Sequence, residues 1–394
     1  MKGRQNRAFI LPAVLFLLVL FFLLWSRTTL SQEQSPDAYT PITNEGKKWR
    51  IGYVETEPYA NYAGNFYSLV MGLGKDGWLA NVDELPFQSG QTDTKRMWQW
   101  LSQRDTGNFI EFVDDGHYSL KDGTAVQEAL ARRLTLQKDL DLLIAMGTGA
   151  GVFLSQLDYE IPTMIFSSTN AVQSGIVRSE NDSGADHLWA HIDPGLYRRQ
   201  VEVFYDLFHF KKLGVVYPHN PVARVFSAID DVQAVASERG FQVVEYDIVE
   251  PRDGTDDELE RYYLDLTQAF TALAKEVDAV YLTYGAWRLR DLPHLLTPLY
   301  EGKIPVFSQQ GADEVAHGAL LSLAPVDFAG IGQFGAQNMA KVFHGTPPRR
   351  LQQVFVHTPN IAINVEAAKK IDYKVPFELL LLADKIYTEI AGEK

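Results

Sequence analysis

The sequence predicts an α/β protein made of two doubly wound parallel-sheet lobes behind an N-terminal membrane segment. Short runs rich in β-branched residues alternate with amphipathic helical patterns over most of the chain, as parallel α/β sheets require. The alternation occurs in two comparable series, which are separated by a looser stretch after Gly175. The length of 394 residues fits about two or three domains of ordinary size.

Composition and charge exclude several classes of protein. The chain has no cysteine, which excludes disulfide scaffolds, cysteine-ligated metal centres, thiol nucleophiles and a lipid anchor on a terminal cysteine. The formal net charge is −14, and the first 31 residues contribute +4, which leaves −18 on the remainder. Nucleic-acid binding requires Lys and Arg to replace counterions, so we expect no nucleic-acid partner.

Residues 1–31 contain a membrane-targeting segment, in which basic residues precede Ala8–Trp25, an apolar run of 18 residues. Two interpretations compete. A cleaved signal peptide usually has a shorter apolar run, whereas an uncleaved anchor of about 20 residues spans a bilayer. With either, the basic end faces the cytoplasm and the acidic body is extracytoplasmic or periplasmic. The polar stretch 32–48 is a predicted linker.

In the first series, strands are predicted at Arg50–Thr56, Asn108–Val113, Leu140–Met146 and Ile161–Ser167. Helical patterns lie between them. Asp93 is a predicted helix N-cap, and Thr124 with Gln127 matches a capping box at the start of another helix.

In the second series, strands are predicted at Lys212–Tyr217, Phe241–Val249, Val277–Tyr284 and Ile304–Ser308. One helix is expected over Asn220–Gly240, with an asparagine N-cap, a first-turn proline and a terminal glycine. Another follows a capping box formed by Thr255 and Glu258. A last helix is predicted over Pro376–Tyr387.

The looser stretch after Gly175 is the predicted crossing between the lobes. Lobe 1 is expected to comprise residues 49–175 with part of 312–350. Lobe 2 is expected to comprise residues 176–311 with part of 355–394. Ligands of open α/β sheets bind at the carboxyl ends of the strands, so both sets of strand ends are expected to face one cleft.

A glycine-rich motif, Gly147-Thr-Gly149-Ala-Gly151, follows a predicted strand and opens a helix. It lacks the spacing of a dinucleotide fingerprint, and no acidic residue ends the next strand. We therefore expect no cofactor. The alternatives are a tight strand-to-helix turn and a ligand loop, in which free N–H groups and the Thr148 hydroxyl hold an anion.

His187 and His191 lie four residues apart, flanked by Asp186 and Asp193, and on a helix they would share one face. The HExxH pattern of metalloproteases and the G-x-S-x-G elbow of hydrolases are both missing from the sequence. We therefore predict no metal site and no catalytic residue, and we expect that the chain is not an enzyme.

Strand-end loops carry the ligand-binding candidates. Glu55, Thr56 and Glu57 end the first strand, and several aromatic residues follow. Carboxylates beside rings hold an organic amine through ion pairing and cation–π contact. The other candidates are Gly147, Thr148, Gly149, Ser168, Thr169, Asn170, Tyr217, Asn220, Tyr284 and Gln310. The alternative for each is loop capping or core packing.

Seven segments, in a consistent order and spacing, carry a resemblance to a known family: RIGYVETEPY, LDLLIAMGTGA, IPTMIFSSTNAVQSGIV, KKLGVVYPHNPVAR, VDAVYLTYG, IPVFSQQGADEVAHGAL and IAINVEAAKKIDYKVPFELLLLADKIY. Over most of residues 49–390 the chain resembles ABC-transporter substrate-binding proteins related to tryptophan/tyrosine-binding lipoproteins. These have the type I periplasmic-binding fold.

The resemblance implies two lobes that close on a small solute without chemistry. It implies ligand loops at Glu55–Pro58, Gly147–Ala150, Ser168–Val172, Tyr217–Ala223, Tyr284–Trp287 and Ser308–Gly311. The family usually has an acidic residue where this chain has Asn170, and many members have a lipoprotein cysteine that this chain lacks. The resemblance therefore transfers the fold and the binding role, but not the ligand.

Two functional hypotheses follow. In the first, the chain is an extracytoplasmic solute-binding protein of an ABC-type uptake system. It binds a small polar or aromatic solute between closing lobes and presents it to an ABC permease. In the second, a membrane-anchored sensing subunit uses the same fold to signal ligand occupancy to a signalling partner. Either requires ligand contacts with both lobes, because only differential affinity shifts an open–closed equilibrium.

Overall fold

The computed structural model describes residues 39–392 except 89, 252–254, 325–327 and 357–359. Two β-sheets organise these residues, one of five strands and one of seven. Each sheet forms the centre of a lobe, and the carboxyl ends of the parallel strands of both sheets border a common cleft.

The strands of the first sheet are β1 (Trp49–Glu55), β2 (Ile110–Ser119), β3 (Leu142–Met146), β4 (Thr163–Phe166) and β5 (Leu188–Ala190). They lie in the order β2-β1-β3-β4-β5, and every pair is parallel. The helices that accompany them are α1 (Ala60–Lys75), α2 (Thr94–Ser102), α3 (Thr124–Arg132) and α4 (Thr148–Ser155).

The first sheet is buried on both faces. Successive strand residues point to opposite sides, so Ile144 joins the core that contains Leu69 of α1, and Leu143 joins the core that contains Leu154 of α4. Burial of both faces explains why the sequence of β3 is continuously apolar and does not alternate between apolar and polar residues.

The second sheet contains β6 (Lys212–Tyr217), β7 (Gln242–Asp247), β8 (Ala279–Leu282), β9 (Val306–Ser308), β10 (Leu321–Ala324), β11 (Asn360–Asn364) and β12 (Lys385–Tyr387). The helices after β5 are α5 (Leu196–Phe208), α6 (Pro221–Phe226), α7 (Ile229–Arg239), α8 (Asp256–Glu276), α9 (Leu292–Leu295), α10 (Thr297–Glu301), α11 (Ala312–Ala316), α12 (Phe328–Phe343), α13 (Val365–Lys370) and α14 (Phe377–Leu382).

The second sheet is mixed, whereas the sequence predicts a parallel one. Its order is β12-β11-β10-β9-β8-β6-β7. β11 is antiparallel to β10 and parallel to β12, so the last two strands run against the other five. The chain leaves β10 for α12, which packs in the first lobe, and returns to the sheet from that side. β11 therefore begins beside the carboxyl end of β10 and runs antiparallel to it.

Three of the four predicted helix N-caps are confirmed, those at Asp93, Asn220 and Thr255. The Asp93 side chain accepts from the Arg96 N–H at 3.0 Å, and Thr255 and Glu258 form a capping box at the start of α8. The predicted box at Thr124 is wrong, because Thr124 is already the first helical residue and Gly123 occupies the cap position.

The single helix predicted over Asn220–Gly240 is two helices in the structure. Asn220 caps α6 as expected, and its side chain accepts from the N–H groups of Val222 and Ala223. The break falls at Ala228, which has a φ of 52°. A left-handed residue ends a helix, and an alanine gives no sequence signal for that conformation.

The crossing between the lobes comes later than the boundary expected at residue 175. β5 pairs with Thr163–Ile165 of β4, and Ile176 and Val177 are buried in the first lobe. The chain therefore stays with the first sheet until Ala190. A strand of three residues is too short to show a periodic pattern, which is why the sequence did not reveal it.

Helix α12 belongs to the first lobe although it follows β10. Its Met339 and Ala340 share a core with residues of α1. The two helices approach so closely that a Cβ at Gly332 would lie 2.3 Å from the Ser68 backbone. A glycine at this position therefore allows the two backbones to touch.

The C-terminal prediction over Pro376–Tyr387 is wrong in part. The helix α14 ends at Leu382, and Lys385–Tyr387 form the edge strand β12. Within the described ranges no helix is long and apolar enough to cross a membrane. The segment predicted as a signal peptide or anchor, including Ala8–Trp25, lies outside the described residues.

Candidate functional site

A cleft of about 1090 Å³, which includes space open to solvent, lies at the strand ends of both sheets. Loops after β1, β3 and β4 form the wall on the first lobe, and loops after β8 and β9 with α6 form the wall on the second. The lining residues are Thr56, Glu57, Tyr59, Asn61, Tyr62, Asn65, Thr148, Gly149, Ser167, Ser168, Thr169, His191, Asp193, Leu196, Tyr197, Phe226, Tyr284, Gln310, Phe328 and Ile331.

Thr56 joins the loop after β1 to the start of α4. Its hydroxyl oxygen accepts from the Ala150 N–H at 2.9 Å and donates to the Met146 carbonyl at 3.4 Å. This threonine therefore satisfies one of the N–H groups that a helix leaves unpaired at its beginning. The geometry fixes the relative position of two neighbouring strand-end loops.

The glycines of the motif after β3 are required by close contacts. Gly147 caps α4 with a φ of 96°, and a Cβ there would lie 2.1 Å from the Tyr62 hydroxyl oxygen. A Cβ at Gly149 would lie 2.6 Å from the Thr56 Cγ2. The motif is thus a tight strand-to-helix turn on which the side chains of the first loop rest.

The loop after β4 is held in an unusual backbone conformation. Ser167 has a φ of 55°, which costs energy for a residue other than glycine. Its hydroxyl accepts from Asn65 Nδ2 at 2.6 Å. The Thr169 N–H donates to the Thr148 hydroxyl at 3.1 Å. These two hydrogen bonds hold the loop after β4 against α1 and α4, and neither bond involves a charged side chain.

On the second lobe, the buried Gln309 positions two lining residues. Its side-chain oxygen accepts from the Tyr284 N–H at 3.2 Å, and its Nε2 donates to the Phe226 carbonyl at 2.8 Å. The ring of Tyr284 lies edge-on to Phe226, with centroids 6.3 Å apart. One amide therefore connects the end of α6 with the loops after β8 and β9.

The buried Glu314 side chain holds the loops after β8 and β9 through hydrogen bonds. It is 6% exposed, and it accepts from the Ser308 hydroxyl at 2.7 Å and from Trp287 Nε1 at 3.1 Å. The Ser308 oxygen in turn accepts from the N–H groups of Gln310 and Gly311. Burial raises the pKa of Glu314 to about 8.

The two walls touch through aromatic and amide groups. The Tyr59 hydroxyl donates to Gln310 Oε1. The Tyr59 ring lies edge-on to Tyr62, with centroids 5.1 Å apart, and to Tyr284, with centroids 5.9 Å apart. Such edge-to-face pairs are favourable beyond the area that they bury. The rings thus form a continuous aromatic surface across the cleft.

The charge of the cleft is negative or neutral. Glu57 and Asp193 line it, and none of the described lining residues is Lys or Arg. Asp193 pairs with Arg199 at 2.6 Å, whereas the basic partner of Glu57 within the described ranges is the exposed Lys121 at 3.7 Å. Burial raises the pKa of Tyr59, Tyr62 and Tyr284, so their hydroxyls are neutral at physiological pH.

Glu55 lies beneath the cleft wall, not on it. It is 1% exposed, and its Oε2 accepts from the hydroxyls of Tyr53 at 2.9 Å and Thr94 at 2.6 Å. The Thr94 hydroxyl also lies 2.9 Å from His117 Nε2. Burial raises the pKa of Glu55 to about 7 and lowers that of His117 to about 4.

Of the thirteen site residues predicted from the sequence, eight line the cleft: Thr56, Glu57, Thr148, Gly149, Ser168, Thr169, Tyr284 and Gln310. Gly147 and Glu55 lie behind the wall. Asn170 caps the following turn by accepting from the Gln173 N–H at 2.9 Å. The Tyr217 hydroxyl donates to Glu245 at 2.6 Å, and Asn220 caps α6.

The His187 and His191 pair does not share a helical face, because β5 lies between the two residues. His187 packs against Tyr159, and His191 Nε2 lies 3.2 Å from the Phe355 carbonyl oxygen. Across the described part of the chain, no group of three or more His, Cys, Asp or Glu side chains is arranged to hold a metal ion.

Several lining residues are not among the thirteen predicted ones. Tyr59 and Ser167 lie in loops, and the others lie on helices or at the crossing between lobes, including Asn65, Tyr197, Phe226 and Phe328. Tyr59 and Tyr62 follow the first strand closely, so their proximity to Glu57 is a usable sequence signal. Asn65, an amide in the second turn of α1, has no such signal.

Comparisons with known proteins agree with this architecture. The family described as ABC transporter substrate binding protein matches residues 109–387. A curated relative, the tyrosine-binding protein of Clostridioides difficile (strain R20291), is 23% identical over 279 residues, which are 67% of this chain and 75% of that protein.

Three solved structures have similar folds, and each alignment covers 86% of this chain and 100% of the other. A conserved domain protein of Vibrio cholerae has a TM-score of 0.61 and 19% identity. An ABC domain from Streptococcus pneumoniae in complex with L-Trp has a TM-score of 0.60 and 15% identity. The ligand-free, open structure of the substrate-binding protein CD0873 from Clostridium difficile has a TM-score of 0.60 and 17% identity.

These likenesses show the two-lobed α/β fold of type I periplasmic-binding proteins. The family match spans more than half of the chain, and proteins of this family are transporter components, not enzymes. The chain therefore belongs to the ABC transporter substrate-binding proteins and binds a small solute for transport.

Proposed function

We propose that the solute binds in the cleft between the two lobes, and that the lobes close around it. The observation that carries this proposal is that both walls contribute lining side chains and touch each other through Tyr59 and Gln310. A solute that contacts both walls stabilises the closed arrangement over the open one, which is the requirement for ligand-driven closure.

The solute class that fits this cleft is small and aromatic. The rings of Tyr59, Tyr62, Tyr284 and Phe226 form one surface of edge-to-face contacts. A further planar ring adds to such an arrangement. The names of two relatives, one described as tyrosine-binding and one solved in complex with L-Trp, support the same class.

We also propose that the chain works outside the cytoplasm and is held at the membrane by Ala8–Trp25. The basic residues before this apolar run favour an N-terminus in the cytoplasm. An anchored binding protein stays near its permease, which is the partner that we propose for it. N-terminal sequencing of the mature protein tests the anchor, because a start near Gln32 would contradict it.

A thermal-shift screen of the purified protein tests solute binding. The panel contains aromatic amino acids, aromatic amines, aliphatic amino acids and sugar alcohols. We expect a concentration-dependent rise in Tm with an aromatic compound, and loss of that rise in Tyr284→Ala. The matched control is Tyr205→Ala, which removes an equal ring outside the cleft. No shift with any compound would overturn the proposal.

A further inference from the structure

The two lobes also meet outside the cleft lining, through the side chains of Gln173 and Asp230. Gln173 lies in the turn after β4, on the first lobe, and Asp230 lies in the first turn of α7, on the second. The Gln173 amide nitrogen donates to Asp230 Oδ2. Neither residue is among those that line the cleft, so the contact does not depend on which solute the cleft holds.

Each partner of this contact is held in place by its own lobe. On the first lobe, the Gln173 N–H donates to Asn170 Oδ1 at 2.9 Å, and the Ser174 hydroxyl donates to the Asn170 carbonyl at 2.7 Å. On the second lobe, Arg224 Nε donates to Asp230 Oδ1 at 2.7 Å. Two groups that are already positioned lose less conformational entropy when they meet than two free side chains do.

A chain of side-chain hydrogen bonds lies behind the acidic partner. Arg224 Nη2 donates to Gln233 Oε1 at 2.6 Å, and Gln233 Nε2 donates to Glu245 Oε1 at 2.6 Å. The other oxygen of Glu245 accepts from the Tyr217 hydroxyl. Asn170 and Tyr217, two site residues predicted from the sequence that do not line the cleft, therefore support the contact between the lobes.

The contact is exposed to solvent, which limits its strength. The Asp230 side chain is 49% exposed and the Arg224 side chain is 35% exposed. Water and salt weaken exposed charged pairs, so that such pairs shift an equilibrium only slightly. We therefore expect the contact to change the ratio of closed to open protein by about two- to fivefold.

Resting on the proposed closure of the lobes, we propose that Gln173 and Asp230 form a latch that stabilises the closed arrangement equally for every solute. The side chains of the cleft select the solute, and the latch sets the open–closed equilibrium. The free energy of closure is part of every binding free energy. The strength of the latch therefore multiplies all affinities by one factor and leaves their ratios unchanged.

Two charge changes at Gln173 test the latch in opposite directions. Gln173→Lys brings an ammonium group to the Asp230 carboxylate and is expected to tighten solute binding by about two- to fivefold. Gln173→Glu brings two carboxylates together and is expected to weaken binding by a similar factor. The matched control is Gln156→Lys, which adds the same charge at an exposed position just after α4 and leaves the affinity unchanged.

A third variant shows which partner the charge at position 173 meets. In the Gln173→Glu background, Asp230→Asn removes the opposing carboxylate and is expected to restore the affinity. High salt is expected to reduce the gain of Gln173→Lys, because it screens exposed charges. Circular dichroism and Tm establish that each variant folds, and the two single changes are at an exposed position where a folding defect is not expected.

Two measurements report on the latch. Calorimetric titration uses L-tryptophan, L-tyrosine and every other compound that binds in the thermal-shift screen. Fluorescence energy transfer between labels at Glu128→Cys in α3 and Glu260→Cys in α8 reports the distance between the lobes without any solute. A merely structural role would lower Tm, whereas a latch shifts the solute-free transfer efficiency in opposite directions for Gln173→Lys and Gln173→Glu.

The outcomes separate this inference from the proposed function. Opposite effects of Gln173→Lys and Gln173→Glu, by one factor for all solutes, support the latch. It is overturned if both variants match wild type in affinity and in solute-free transfer, if the factor differs between solutes, or if Gln156→Lys has the same effect as Gln173→Lys. If no compound in the panel binds, the proposed function fails, and the solute-free transfer efficiencies alone decide whether the latch exists.

Discussion

Tyr59 and Gln310 meet across the cleft: the hydroxyl of Tyr59, on the first lobe, donates to the side-chain oxygen of Gln310, on the second. The Tyr59 ring also contacts Tyr284 edge-on. The loop between β1 and α1 therefore reaches two loops of the opposite lobe. A contact made only when the lobes are together favours their closed arrangement.

Tyr59→Phe is expected to weaken solute binding by about fivefold. The change keeps the ring and removes one hydrogen bond of about 1 kcal/mol from the closed arrangement. Calorimetric titration with the compound found in the thermal-shift screen measures the effect. Tyr205→Phe is the control, because its hydroxyl bonds to the Arg239 carbonyl at 3.2 Å within the second lobe. Equal affinities for wild type and Tyr59→Phe would contradict this account of closure.

Gly147→Ala is expected to destabilise the protein more than Gly123→Ala. Both glycines cap helices, with φ values of 96° and 102°, but only Gly147 has neighbours within 4 Å of the added Cβ, the side chains of Tyr62 and Thr56. Conformational strain costs about 1–3 kcal/mol at either site. Overpacking adds about 1–3 kcal/mol at Gly147 alone.

Urea unfolding measures both glycine variants, and the difference between them isolates the steric contact. Solute titration provides a second comparison, because displacement of Tyr62 disturbs the cleft, whereas Gly123 is not one of the lining residues. Equal losses of stability in the two variants would contradict a steric clash between the added Cβ and the side chains of Tyr62 and Thr56.

Asn220→Ala is expected to lower the unfolding free energy by about 1 kcal/mol and to leave solute affinity unchanged. The side chain caps α6 and is absent from the cleft lining. Loss of an asparagine cap typically costs this amount. Urea unfolding and calorimetry check the two expectations separately. A large loss of affinity at full stability would return Asn220 to the binding site, where the sequence places it.

Glu55→Gln is expected to change how stability depends on pH. Burial raises the pKa of Glu55 from 4.5 to about 7. The folded protein therefore holds a proton that the unfolded chain releases, and this group lowers stability as pH rises through that window, by at most about 1.4 kcal/mol per pH unit. Glutamine removes this contribution and keeps an acceptor for Tyr53 and Thr94.

The neighbouring His117 contributes with the opposite sign. Burial lowers its pKa from 6.5 to about 4, so the unfolded chain binds the extra proton and stability rises with pH across that interval. Urea unfolding between about pH 4 and pH 7 should show stability of Glu55→Gln increasing relative to wild type as pH rises. Glu128→Gln, at an exposed position of α3, is the control. A constant difference across this range would contradict the assignment.

The sequence predicts those parts of the fold whose signals are local. Buried strands such as Lys212–Tyr217 are continuous apolar runs, and the capping box at Thr255 is encoded within four residues. The pairing of Leu188–Ala190 with the first sheet depends on partners far along the chain. The reversal of β11 depends likewise on the path through α12.

The residues of the cleft likewise divide into those that the local sequence predicts and those that depend on distant parts of the chain. Residues one or two positions after a strand, such as Thr56 and Tyr284, are predictable, because the carboxyl ends of parallel strands share an edge. The direction of a side chain is not predictable in this way. Tyr217 ends a strand as Tyr284 nearly does, yet its hydroxyl bonds to Glu245 on the neighbouring strand. Asn65 enters the wall only because α1 packs beside the loop after β4.

Ligand-driven closure of the two lobes is tested most directly by fluorescence energy transfer between them. The chain has no cysteine, so labels at Glu128→Cys in α3 and Glu260→Cys in α8 report the distance between the lobes without interference. Titration with tryptamine, tyramine, L-tryptophan or L-tyrosine should change the transfer efficiency with the midpoint found by calorimetry, and Tyr284→Ala should move both midpoints together. Heat of binding without any change in efficiency, or a change that Tyr284→Ala leaves untouched, would contradict the account.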